Sequence, residues 1–325
     1  MTDVTQLAIA KPRRIPLLAA AIALYAAIAA AFWPGTYLAM VEAYAGQVIV
    51  LPVVLLVGLP VAALILSPKS PGPFLVNLVR ESWLRLLLTG LAVCVGLAAF
   101  TTFKLAIPKL VPFYADPLFA DLDAALFFGR NPGEVAHAVL PSWLEYPVGF
   151  LYGPIWFLHW FGLIAFVAAH RDAELRRRYF WSMAIAVCGL GSIAAMAFSS
   201  VGPILYERIY GIDRFPELMA TIGSSAVGEY MQIASGYLYD AYLNGGDHAG
   251  SGTSAMPSMH LAIVTLNAWM LTRLHPIAGA IGWTYAGIIL FGSVFMGWHY
   301  LIDGYVSIAV VSLVWWLLGR RARAS

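Results

Sequence analysis

Charge is what this sequence has least of. Only 11% of its 325 residues are Asp, Glu, Lys or Arg, where a soluble globular domain carries about a quarter. A large core cannot explain the deficit, because a soluble protein must still cover its surface with polar groups. With 61% hydrophobic residues, the solvent implied is lipid. Cysteine is almost missing. Cys94 and Cys188 both fall in long apolar segments, which excludes a disulfide framework and a cysteine metal pair and leaves two small apolar side chains. No basic patch is interleaved with aromatics, so a nucleic-acid partner is excluded. The formal net charge of +2 says little about partners. Neither an internal repeat nor a linker divides the chain, and residues 1–325 read as one integral membrane domain.

What is there is a series of apolar runs near the ~20 residues that cross a bilayer. Eight candidate helices result, at 15–33, 47–66, 84–103, 146–169, 179–201, 258–274, 276–297 and 299–318. The first follows Lys11, Arg13 and Arg14, and its 19 residues are long for the apolar part of a cleaved signal peptide. It reads as a retained helix. Lys and Arg favour the cytoplasmic side of such spans. With the N-terminus inside, fourteen of the 19 basic residues fall in inner segments and five in outer ones. Both termini are therefore expected in the cytoplasm. The Ala-rich character suits a bacterial inner membrane.

Two outer segments are long, 104–145 and 202–257. Loops of this length usually have a function or are disordered, and these contain aromatics and turn signals such as Asn131-Pro132-Gly133 and Asn244-Gly245-Gly246. Within the first, 117–128 mixes apolar and acidic residues in a helical pattern, which predicts a helix lying at the interface. Its Asp116, Asp121 and Asp123 read as a solvated face, or else as ligands for a polyol headgroup. His159, in the middle of the fourth span, is costly there unless it acts or is bonded; one hydrogen bond to a neighbouring helix would satisfy it.

The last third of the chain carries the chemistry. Pro257-Ser258-Met259-His260 stands where the outer loop enters the sixth span, and Trp298-His299-Tyr300-Leu301-Ile302-Asp303 opens the eighth. Spans six and seven form a hairpin, so His260 and His299 return to one membrane face. His299 and Asp303, four apart on a helix, share a side. Two imidazoles and a carboxylate so placed suit phosphoryl transfer through a covalent histidine. One ring attacks phosphorus, the carboxylate fixes its tautomer, and the second ring gives a proton to the departing alkoxide. No metal or cofactor is required, although two His and one Asp also admit a metal site. Exposed N–H groups after Pro257, with the Ser258 hydroxyl, form an anion-binding helix end. The stretch Gly250-Ser251-Gly252-Thr253-Ser254 can fold close to a phosphate.

Pro257-Ser258-x-His260 and Gly297-x-His299-x-x-x-Asp303 resemble the second and third motifs of the type 2 phosphatidic acid phosphatase superfamily. The apolar runs give an all-α polytopic bundle of about eight transmembrane helices, and the resemblance, which covers roughly residues 100–310 and not the first two helices, implies a six-helix phosphatase-like core within it. Residues 1–83 would be two accessory helices and 84–320 the catalytic bundle. It also implies His299 as nucleophile, Asp303 as its orienting group and His260 as general acid. Three departures stand out. Met259 replaces the usual glycine, Ser293 stands where the third motif has arginine, and the first motif survives only as Lys104-x6-Val111-Pro112. Those departures, with 112–116, Asn131-Pro132 and Ser200-Val201-Gly202-Pro203, are similar to inositol phosphorylceramide synthases and their bacterial relatives. Members of that branch move a phospho-headgroup between lipids.

Desolvated phosphate needs positive or N–H partners. Lys104, Arg208 and Arg214 are the outer cations available, with Lys104 first because it holds the first-motif place; each is alternatively a snorkelling interface residue. The expectation is a metal-independent membrane lipid phosphotransferase, its substrate site drawn from Ser258, Gly297 and these cations. Its partners would be a phospholipid donor and a lipid or water acceptor, with no obligatory protein partner. The alternatives are a lipid phosphate phosphatase that uses water, and a non-catalytic membrane protein or transporter on the same scaffold.

Overall fold

The computed structural model describes residues 17–47, 69–244, 250 and 252–321. Among them there are helices and no strand. In chain order these are α1 (Leu17–Phe32), α2 (Pro34–Gln47), α3 (Pro71–Leu110), α4 (Asp116–Leu126), α5 (Pro132–Val139), α6 (Glu145–Tyr152) and α7 (Pro154–Ala169). Then come α8 (Ala173–Ala197, π-helical over Ala186–Ala194), α9 (Pro203–Tyr210), α10 (Pro216–Ser224) and α11 (Gly228–Asn244). The chain closes with α12 (Met259–Leu274), α13 (Pro276–Phe295) and α14 (Leu301–Arg321). Five segments, at Pro71–Leu110, Ser142–Ala169, Ala173–Ala197, Pro276–Phe295 and Leu301–Arg320, are long and apolar enough to cross a membrane. The chain is a multi-pass membrane protein.

These five are the third, fourth, fifth, seventh and eighth expected spans, with altered bounds. The third is longer than 84–103, because Pro71 opens the helix with a preset φ and the chain stays helical through Pro108 to Leu110. The fourth is interrupted: Gly153 and Pro154 break it into α6 and α7. The expected second span lies outside the described residues apart from Gln47, and α2 occupies a stretch read as a connection. The first is a 16-residue apolar helix. It packs on α3 through Ala26, Ala29 and Ala99, and Tyr25 bonds Ser192 Oγ at 2.6 Å.

The sixth expected span, α12, has 16 residues, about 24 Å of helix, and it does not need to meet lipid. Residues 261–268 are buried almost completely on every side, the pattern of a helix enclosed by protein. Gly279 and Gly282 bring α13 tightly against Thr272 and Ala268 of α12, the small-residue contact that lets backbones approach. α12 is the axis of the bundle, with α7, α8, α13 and α14 around it.

The two ends of the bundle differ. At one end Arg85 and Ser82 donate to the Ala169 carbonyl, Arg171 pairs with Glu81 at 2.9 Å, Arg273 with Asp172 at 3.0 Å, and Arg177 reaches the Leu318 carbonyl. Residues expected on the inner side therefore meet. The opposite end holds α4, α5 and α9 to α11, the folded form of the two long outer segments, and the start of α12.

Candidate active site

The loop from α13 to α14 is built by backbone bonds. α13 stops at Phe295, and the Ser293 carbonyl then accepts the N–H groups of Trp298 (3.1 Å) and His299 (3.2 Å). Gly297 turns the chain with φ +67°, a conformation that favours glycine, and its carbonyl accepts the Ile204 N–H at 2.9 Å. Ser293 is fully buried, with its hydroxyl on the Leu290 carbonyl. Gly297, expected to bind substrate, acts as a turn packed on Ile204, Met219 and Ile222.

His299 stands in this loop, two residues before α14 begins at Leu301. The expected reason for its contact with Asp303, four residues apart on one helix, is therefore corrected. Asp303 lies in the first turn, and its carboxylate reaches back as a helix-start acceptor, taking the Tyr300 N–H at 3.0 Å and His299 Nδ1 at 3.2 Å with the same Oδ2. The bond at Nδ1 directs the other ring nitrogen, Nε2, away from Asp303. Asp303 is fully buried, His299 is 7% exposed, and Asp303 Oδ1 has no partner among the described residues.

His260 faces this pair from the second residue of α12. Its ring stacks on Tyr152 (centroids 4.6 Å apart) and Trp156 (4.1 Å), and the Trp156 indole N–H donates to its carbonyl. The His260 and His299 ring centroids are 6.1 Å apart, with the planes inclined at 64°. Both imidazoles sit at one end of the bundle, close enough to flank one phosphate. Ser258 caps α12, accepting the Leu261 N–H, and is completely buried; its own N–H donates to the Asp303 carbonyl. Its oxygen thus accepts from the helix, which leaves the hydroxyl its own O–H to donate. Met259, the residue in place of glycine, fits because the π-helical turn of α8 presents Gly191 to its sulfur.

The three cations separate. Lys104 lies next to the site: its charge interacts with that of His260, its backbone packs on Gly252 of the glycine-rich loop, and its Nζ stands 5.4 Å from the Phe100 ring. Arg214 instead pairs with Asp121. Arg208 is exposed, lies over Tyr239, and lines a cavity of about 200 Å³ among α9, α10 and α11.

Asp116 and Asp123 are neither a solvated face nor free to bind a polyol. Both are buried. Asp116 accepts the N–H groups of Val201 (3.0 Å) and Gly202 (2.8 Å) and the hydroxyls of Tyr210 and Tyr300, each at 3.0 Å. Asp123 accepts the N–H groups of Leu301 (2.6 Å) and Ile302 (3.1 Å). Burial raises the Asp116 pKa against those four donors. It pushes Asp123 up to about 6, opposed by the two N–H groups and aided by the nearby Asp303 charge. A signal was present: Asp116, Phe119, Ala120 and Asp123 follow the i, i+3, i+4, i+7 spacing of one helix face, and Phe119 and Ala120 are buried with them. Tyr152 and Trp156, which hold His260, had no motif to mark them.

His159 has the satisfying partner expected of a mid-span histidine, Asn267 at 3.2 Å. Among the described residues no group of three or more His, Cys, Asp or Glu is placed to hold a metal ion. A family profile described as PAP2 superfamily matches residues 117–317. No curated protein and no solved structure matches the chain.

Proposed function

The chain belongs to the PAP2 superfamily, whose chemistry is of the phosphatase or phosphotransferase type on lipid phosphates, and on that premise we propose that it is a phosphotransferase. It moves a phospho-headgroup from a donor phospholipid to the hydroxyl of a second lipid. The observation that carries the reading is the facing pair of imidazoles, 6.1 Å between centroids, one of them held by a buried carboxylate.

In the first half-reaction Nε2 of His299 attacks phosphorus while Asp303 holds the Nδ1 proton and the positive charge that develops on the ring. The bond from phosphorus to the lipid oxygen breaks, and protonated His260 gives its proton to that oxygen. In the second, neutral His260 takes the proton of the acceptor hydroxyl as its oxygen attacks phosphorus, and the phosphorus–nitrogen bond breaks. Lys104 is the cation placed to meet the phosphate charge. Transfer rather than hydrolysis is supported by the resemblance of Met259, Ser293 and the arginine-free first motif to inositol phosphorylceramide synthases, and by the two long outer segments, folded as α4, α5 and α9 to α11. The site belongs on the outer face of a bacterial inner membrane, with both termini cytoplasmic.

The test is lipid mass spectrometry of cells carrying the intact chain or His299→Ala. A phospholipid that accumulates and a new lipid that disappears in the variant support transfer. Purified protein that releases free phosphate or phospho-alcohol and forms no new lipid would assign it to hydrolysis instead, and unchanged lipids would sink both.

A further inference from the structure

One buried polar group beside the two histidines is unused by this mechanism. Tyr152 ends α6 just before the break at Gly153 and is 3% exposed. Its ring lies almost flat on the His260 imidazole, with the planes inclined by 14°, and its edge packs on Gly292 of α13, where a Cβ would come within 3.1 Å of it. The hydroxyl has no hydrogen-bond partner among the described residues. It lies within electrostatic range of the Asp303 carboxylate and of Tyr230, yet Asp303 Oδ1 is unpartnered as well, so the two do not bond each other. Buried hydroxyls nearly always find a partner, because leaving one unpaired costs free energy. An orphan at a reaction centre is a donor kept for something that arrives.

What arrives here has oxygens that need donors. A phosphoryl group in a site from which water is excluded requires N–H or O–H groups aimed at its non-bridging oxygens. Two arginines of the superfamily pattern are replaced by Val111 and Ser293, and Arg214 is paired with Asp121. Resting on the phosphohistidine reading above, we propose that the Tyr152 hydroxyl donates a hydrogen bond to a non-bridging oxygen of the phosphoryl group held between His299 and His260. Its stack on His260 fixes the donor relative to the acid. Tyr152 thus takes over part of what arginine does elsewhere in the superfamily, without adding a charge beside Lys104.

Tyr152→Phe keeps the ring and the stack and removes only the hydroxyl. Full-length protein is placed in vesicles of ³²P-labelled phosphatidic acid, phosphatidylinositol and phosphatidylglycerol. Turnover and label on the protein are measured beside His299→Ala, and thermal midpoints are recorded without substrate. The phenylalanine variant is expected to lose on the order of 10–100-fold in kcat with KM little changed. Its midpoint should be unchanged or higher, since the resting protein loses no bond. Wild-type kcat in Tyr152→Phe with His299→Ala inactive overturns this inference alone. A midpoint that falls along with the rate gives the hydroxyl a structural role and also overturns it. Full turnover by His299→Ala, or no turnover of any of the three lipids by the intact protein, removes the underlying reading and this inference with it.

Discussion

Converting Asp123 to asparagine is expected to cripple turnover while leaving the protein about as stable as before. The carboxylate accepts two N–H groups that open α14 and that no residue within the helix can satisfy. Even with those bonds, its pKa stands at about 6 against 3.8 for a free side chain, so holding it ionised at neutral pH costs ~3 kcal/mol. Asparagine escapes that cost. Its amide oxygen, however, serves only one of the two donors well, and a stranded buried N–H costs ~1–3 kcal/mol. The two effects nearly cancel in stability. They do not cancel in position, because α14 carries Asp303, which aims His299, and a displacement of ~1 Å in a reacting group lowers rates on the order of 10²-fold.

The pH dependence separates the two effects further. The native state binds the Asp123 proton more tightly than the unfolded chain does, so this residue makes the protein more stable as pH falls through about 6 toward 4. Turnover runs the other way, since protonation weakens the grip on α14 in the same window. Thermal midpoints and kcat/KM, followed from about pH 4.5 to 8.5, should therefore diverge below about 6 in the intact protein. Asp123→Asn should lack that acid limb and run low throughout. An asparagine variant with full turnover and the same limb would refute the idea that this carboxylate positions the catalytic loop.

Three other outcomes can be checked with the same material. Asp303→Asn should lower kcat on the order of 10³–10⁴-fold by freeing the His299 tautomer, with the protein still folded by circular dichroism; a tenfold loss or less would argue against the assigned pair. His260→Ala should lose ~10²–10⁴-fold on natural lipids yet retain most of its rate on a nitrophenyl phosphodiester, whose leaving group needs no proton. Equal losses on both substrates would deny His260 the role of acid. Asp116→Ala strands two N–H groups and two tyrosine hydroxyls and should destabilise the fold by about 3–5 kcal/mol, read as a lowered thermal midpoint.

His260, His299 and Asp303 are legible in the sequence because a hairpin of two apolar runs must return its ends to one membrane face, and because each histidine stands where a run begins. The sixth run is also legible, but not its surroundings: only packing shows that α12 is sheathed in protein instead of lipid. The His299–Asp303 contact is foreseeable while its cause is not, since residue spacing alone cannot say whether a helix starts at 299 or 301. Acidic residues of the outer segments mislead for a related reason. An aspartate on an amphipathic helix reads as solvated until the chain supplies donors from 85 or 178 residues away, and nothing local announces that it will. Arg208 and Arg214 are cations on the expected outer side by charge counting, yet their neighbours come from other parts of the loops. Tyr152 is hidden among many aromatics of similar hydropathy.

The eleven-residue helix α4 grips the chain on either side of the chemistry, at Val201 and Gly202 with one aspartate and at Leu301 and Ile302 with the other. A compound that pried this helix loose would silence the enzyme from a distance, with no resemblance to a phosphate. Needing no negative charge, such an inhibitor would also be spared the poor permeation that handicaps phosphate mimics.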